Sequence, residues 1–167
     1  RKALIRTVSD EDGLALSRAQ YQIEGNVSTI SLLFGPDLIA DLEHVWWNQT
    51  KLSPQAIRRV SRGSGAYRLE ISDVPQSGEH LLTVDFHTKS SAYGWSERHR
   101  LSEPQFPPAV WVEQTRREVI LPNDHYLFTI PRGFTPQFQW ERKTFFWSRA
   151  AQAGYSNLNA WISAENG

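Results

Sequence analysis

Apolar and polar residues alternate along much of this chain with a period of two, and turn-forming residues interrupt the alternation at short intervals. Residues 2–8 mix apolar and polar positions and stop at Ser9-Asp10-Glu11-Asp12-Gly13. Ala19, Tyr21 and Ile23 then alternate with Gln20 and Gln22 up to Glu24-Gly25-Asn26, and residues 27–34 run to Gly35-Pro36. Successive side chains of a strand point to opposite faces, so this pattern predicts half-buried strands separated by turns. The signal is strongest from Tyr67 onward. Tyr67, Leu69 and Ile71 alternate with Arg68, Glu70 and Ser72, and Leu82, Val84 and Phe86 alternate with Thr83, Asp85 and His87. Leu69, Ile71, Leu82, Val84 and Phe86 are therefore the expected core, and residues 95–101 predict one more strand.

Elsewhere the period changes. Leu38, Leu42, Val45 and Trp46 fall at i, i+4, i+7 and i+8 behind Asp37, which predicts a helix of one to three turns with a strand as the alternative. Ser53-Pro54 reads as an N-cap and first helical residue, Gly63 as the stop, with Arg58, Arg59 and Arg62 on the turns between. Pro104, Pro107 and Pro108 disfavour regular structure and mark residues 102–108 as a connector. Beyond it, residues 110–121 and 125–130 predict two strands. Thr135-Pro136 then opens a helical pattern in which Phe138, Phe145, Phe146, Ala150 and Ala153 share an apolar face. Gly154 ends that helix, and Ser156 caps a last one carrying Leu158, Trp161 and Ile162. The expected fold is mainly β. An antiparallel sandwich or barrel spans residues 1–101, and a β-hairpin with two C-terminal helices, residues 109–167, packs on it.

The run Thr7-Val8-Ser9-Asp10-Glu11-Asp12-Gly13-Leu14, followed by Ala19-Gln20-Tyr21-Gln22-Ile23, resembles the opening of bacterial extracellular immunoglobulin-like modules. Tyr67-Arg68-Leu69-Glu70-Ile71, Val74-Pro75, Ser77-Gly78-Glu79-His80 and Leu82-Thr83-Val84 are similar to their late hairpin. The likeness covers residues 2–101, and residues 35–65 depart from it. It implies an immunoglobulin-like β-sandwich and an extracytoplasmic setting, secreted or periplasmic. Such modules share no catalytic residues, so none is carried over.

Composition narrows the function classes. Eighteen Lys and Arg balance 18 Asp and Glu among 167 residues, which argues against bulk attraction to nucleic acid or anionic lipid. The last predicted helix carries no Arg or Lys, which speaks against DNA recognition. No apolar run reaches the ~18 residues of a spanning helix. Without Cys there is no disulfide, thiolate nucleophile or Cys-ligated metal. With no Met and Arg1 at its start, the chain reads as a fragment or processed form. The five His form no metal-ligand or catalytic motif, so no catalytic residue, metal ligand or cofactor is assigned. Asp10-Glu11-Asp12-Gly13 resembles part of a calcium loop but lacks its later ligands and reads as a turn. Asn26-Val27-Ser28 and Asn48-Gln49-Thr50 fit the N-glycosylation pattern.

Seven Trp are the most distinctive feature, and Trp46 and Trp47 are adjacent. Adjacent side chains diverge in helix and strand alike, so one of the two rings faces away from the core. An exposed Trp stacks on the C–H face of a sugar while neighbouring polar groups give direction. The candidate ligand-binding set is thus Trp46 and Trp47 with Glu43, His44 and Asn48. Arg58, Arg59 and Arg62 nearby would favour an acidic polysaccharide. The expected function is a non-catalytic binding or spacer module of a larger extracytoplasmic protein, with a polysaccharide or protein partner. Two alternatives are part of a secreted glycoside hydrolase, for which Asp85 and Glu70 would pair across a hairpin, and a protein-interaction adaptor using an Arg-rich face with Lys51 and Arg68.

Overall fold

The computed structural model describes residues 2–9, 14–25, 27–34, 39–60, 65–71, 78–89, 103–107, 112–120, 132, 138–143, 146–151 and 162. Eleven strands follow in chain order: β1 (Lys2–Ser9), β2 (Leu14–Glu24), β3 (Thr29–Leu33), β4 (Ile39–Trp47), β5 (Thr50–Lys51), β6 (Ile57–Arg59), β7 (Ala66–Glu70), β8 (Glu79–Lys89), β9 (Gln114–Ile120), β10 (Phe138–Lys143) and β11 (Phe146–Ala151). A six-stranded sheet has the order β5-β4-β8-β2-β1-β9, a three-stranded sheet the order β3-β7-β6, and β10-β11 form a separate pair. The protein is mainly β and sandwich-like.

The chain divides into two compact units, residues 1–122 and 123–167. The division falls later than the sequence-expected boundary at 101, because the proline-rich stretch is built into the first unit. Leu33 and Gln105 exchange backbone hydrogen bonds of 2.8 and 2.7 Å, and β9 pairs in parallel with β1. In the second unit β10 and β11 pair antiparallel, from Phe138↔Ala151 to Lys143↔Phe146.

Alternation explains the core of the first unit. Leu82, Val84 and Phe86 of β8 are fully buried, as are Leu69 of β7 and Ile71 just beyond it, and all belong to one cluster with Ile30, Leu32 and Phe34. Residues of both sheets meet there, so each of these side chains contributes roughly 1.5–3 kcal/mol by leaving water. Gly65 permits a close approach. Its carbonyl accepts the Phe34 N–H at 2.8 Å, and a Cβ at that position would stand 2.8 Å from the Phe34 Cβ.

Three predicted helices meet strands instead. Residues 39–47 form β4, and the cause of the helical spacing is a register shift between Leu42 and His44. Leu42 opposes Phe86 and Val45 opposes Val84, so three residues of β4 span two of β8. The extra residue, Glu43, turns an i, i+2 apolar spacing into i, i+3, which imitates a helix. After Ser53 only one turn of 3-10 helix forms, Pro54–Ala56, without a side-chain cap bond, and the chain then enters β6. There the pairing of Ile57 with Leu69 prevails over the local capping signal. Positions 138–151 form β10 and β11 where they are described. Five aromatic residues between 138 and 147 favour a pleated ladder over a helix, and the apparent helical face came from joining two strands. The last expected helix lies outside the described residues except Ile162, which is helical and buried. The expected strands over 95–101 and 125–130 also lie outside them.

The β4–β5 hairpin turns on Asn48 and Gln49, both in the left-handed region at φ 47° and 71°. A two-residue turn of this hand suits the twist of the strands but favours glycine at its second position. Gln49→Gly is therefore expected to raise stability by about 0.5–1 kcal/mol. Equal or lower unfolding midpoints for the variant would contradict the turn geometry.

Candidate functional site

The β4 ladder separates the two tryptophans. Val45 and Trp47 point into the core, where Trp47 is 1% exposed, while Trp46 between them is half-buried on the outer face of the six-stranded sheet. Around Trp46 the neighbouring strands supply a polar surround. The His44 ring lies 5.4 Å from the indole at 38°, and the Arg18 guanidinium of β2 stands 5.5 Å from the ring centre. Arg18 is held there by a two-pronged bond to Asp85 of β8, with Nε to Oδ1 and Nη2 to Oδ2 both 2.8 Å. That bond raises the Arg18 guanidinium above its ordinary range, so it remains a cation. The bulge delivers Glu43 to the same face, where its Oε2 lies 3.0 Å from His87 Nε2. Further across the sheet Arg6 of β1 meets Glu118 of β9 at 2.8 Å. An apolar row of Ile120, Val8 and Leu16, each more than two-fifths exposed, runs across three strands beside these charges.

The remaining candidates stand elsewhere. Trp47 stacks on His80, with centroids 4.7 Å apart. Asn48 lies in the hairpin turn, where its Nδ2 lies 2.9 Å from His80 Nδ1 and its Oδ1 accepts the Leu81 N–H at 2.9 Å. Both atoms of its amide are engaged. Arg58 and Arg59 sit on β6, in the other sheet. Arg58 pairs with Glu70 at 3.3 Å, and Arg59 lies over Tyr67 and 3.7 Å from Asp41. Arg62, the Asp10–Gly13 turn and Asn26 lie outside the described residues. Glu43, His44 and Trp46 thus share a surface, and the arginines of β6 do not join them. Nor do Asp85 and Glu70 form a carboxylate pair, because they belong to different sheets and each is bonded to an arginine.

Sequence reasoning missed Arg18, which borders Trp46, and named Asp85 only as a hydrolytic carboxylate, not as the group that holds Arg18 in place. Their alternation with Ala19 and with Val84 and Phe86 places them on the outer face, but their pairing depends on the β2–β8 register.

A cleft of about 340 Å³ opens beside the inner side of β1, lined by Tyr21, Glu103, Phe106, Val112 and Thr115 among others. Among the described residues Glu103 is its one carboxylate and is bonded to Arg117, so they assemble no acid–base pair there. The Tyr21 hydroxyl donates to the Pro104 carbonyl at 3.1 Å. Burial, reinforced by Glu103, pushes the Tyr21 phenol far above its ordinary range. The folded chain therefore keeps a proton that the unfolded chain gives up above about pH 10. Stability from this group is present below that pH and is lost as alkali rises beyond it. A spectrophotometric titration against Tyr21→Phe should show the Tyr21 phenolate only as the chain unfolds. Its appearance in the folded chain near pH ~10 would contradict this burial. Among the described residues no group of three His, Asp or Glu is arranged to hold a metal ion.

No protein-family model and no curated protein matches the chain. Among solved structures it is similar to a two-domain M1 zinc metallopeptidase mutant bound to L-arginine. The identity is 11%, the TM-score 0.35, and the match covers 56% of this chain and 20% of that one. The chain thus matches about a fifth of that protein's length.

Proposed function

We propose that this chain is a non-catalytic binding module of a larger extracytoplasmic protein, and that its ligand is a polysaccharide stacked on Trp46. The observation that carries this reading is the half-buried indole on the outer sheet face, bordered by His44 and Arg18. A pyranose packs its C–H face on such a ring, and the polar groups beside it bond the hydroxyls. Arg18 suits this role, since its bond to Asp85 uses two N–H groups and leaves others to donate. Two sheets around one core, with Asp85 and Glu70 held apart, support a binding role over a hydrolytic one. The resemblance to immunoglobulin-like modules fits the same role. Among the described residues the six-plus-three division of strands, however, differs from the four-plus-three of the immunoglobulin constant type.

The ligand on this reading is neutral. An acidic preference rested on Arg58, Arg59 and Arg62 lying beside the tryptophan, and Arg58 and Arg59 belong to the other sheet. On the Trp46 face Arg6, Arg18 and Glu43 are each matched by a partner, and Lys51, opposite Trp46 in the ladder, adds one exposed cation, too little charge for a strong acidic preference. Stacking sites of this kind bind in the micromolar to millimolar range, roughly 4–8 kcal/mol.

Affinity electrophoresis through gels holding neutral or acidic polysaccharides, run at low and high salt, tests the proposal. Retention on a neutral polysaccharide, unchanged by salt and lost in Trp46→Ala, is the expected result. No retention on any polysaccharide, or equal retention of the variant, would overturn it.

A further inference from the structure

His80 is 4% exposed and sits at the inner side of the sheet edge, between Trp47 and the β4–β5 turn. The bonds around it define its protonation. A backbone N–H can only donate, so the Leu81 N–H fixes the Asn48 oxygen, and the Asn48 NH2 is the group that faces His80 Nδ1 at 2.9 Å. Nδ1 is then an acceptor, His80 is neutral, and its proton lies on Nε2. That Nε2 is buried with no hydrogen-bond partner among the described residues.

We infer that His80 is a proton-sensitive latch on the β4–β5 turn. When the ring takes up a second proton, Nδ1 becomes a donor and meets the Asn48 NH2 group head on. Rotating the amide relieves that conflict only by setting its NH2 against the Leu81 N–H. Either way Asn48 gives up one of its two side-chain bonds. The backbone of the turn has little else to compensate, because Asn48 and Gln49 both occupy the left-handed region. The bond from the Asn48 N–H to the Leu81 carbonyl and the one from the Leu52 N–H to the Val45 carbonyl, both 2.9 Å, remain to hold the hairpin at this edge.

Among the described residues no carboxylate is placed to take Asn48's part. Glu79 on the same strand accepts from Gln22 at 3.1 Å, and Glu70 of β7 is paired with Arg58. Glu24 of β2 stands opposite Glu79 in the ladder, and Lys51 of β5 is exposed. Acid is thus expected to loosen the β5 edge while the rest of the core stays packed. This inference is independent of what, if anything, Trp46 binds.

The test is a pH titration of the isotope-labelled chain by NMR, following the His80 ring carbons, the Asn48 side-chain NH2 and the Leu81 backbone amide. In wild type the three should move together, with core amides such as that of Val84 unchanged. His80→Gln offers a carbonyl to Asn48 and cannot titrate, so in that variant the Asn48 and Leu81 signals should stay fixed. Acid-dependent shifts of Asn48 and Leu81 that persist in His80→Gln would overturn the inference. So would a His80 ring that titrates without moving either signal, or that takes no proton until the whole chain unfolds.

Discussion

Phe86→Ala is expected to lower the unfolding free energy by about 3–5 kcal/mol. Phe86 is fully buried, its ring 5.0 Å from Phe34, which is the residue that leads the three-stranded sheet's β3 out toward Gly65. On its own sheet it stands opposite Ser17 of β2 and Leu42 of β4. Truncation therefore removes the apolar surface of one ring and leaves a cavity bounded by both sheets, which can close only if the sheets move. Small domains are stable by about 5–15 kcal/mol, so the variant forfeits a large share of that margin. Denaturant unfolding measures it. A midpoint near wild type would mean that β8 and β3 do not share a core.

The second large effect is a contrast between neighbours. Trp47→Ala is expected to cost about 3–5 kcal/mol, and Trp46→Ala about 1 kcal/mol or less. Trp47 is 1% exposed and packs its ring on His80, so its loss opens the core beneath the β4–β5 turn. Trp46 keeps one side toward solvent, and its contacts are with His44 and the exposed arm of Arg18. Comparable losses from the two substitutions, by chemical denaturation, would show that the ladder does not divide the pair between core and surface.

What the sequence shows plainly is what a strict period of two controls. β7 and β8 alternate without interruption, so their inward residues are legible in the sequence, and Ala19, Tyr21 and Ile23 mark β2. β4 was obscured by one inserted residue. Glu43 displaces the apolar positions by one step, and local spacing then favours a helix that the pairing with β8 does not allow. The same competition between local signal and long-range pairing settles residues 57–59, where a cap-like Ser53-Pro54 precedes a strand.

The divergence of Trp46 and Trp47 could be read from their adjacency, and the structure assigns the directions. The surround of Trp46 could not be read. Arg18 and Asp85 are 67 residues apart, and only the β2–β8 register brings them together. Distance along the chain misled in the opposite sense for Arg58 and Arg59. They lie within 13 residues of Trp46, yet the crossing from β5 to β6 carries them to the second sheet.

The most direct measurement is an NMR titration with an oligosaccharide fragment of whichever neutral polysaccharide retains the chain. It should follow the indole N–H signals of Trp46 and Trp47 and the backbone amides of β4, β2 and β6. Saturating shifts at Trp46, His44 and Arg18, with the Trp47 indole and the β6 amides unmoved, are the expected result. Shifts centred on Arg58 and Arg59, or none at Trp46 while binding is seen by other means, would place the ligand elsewhere and contradict a binding face built on the outer side of the six-stranded sheet.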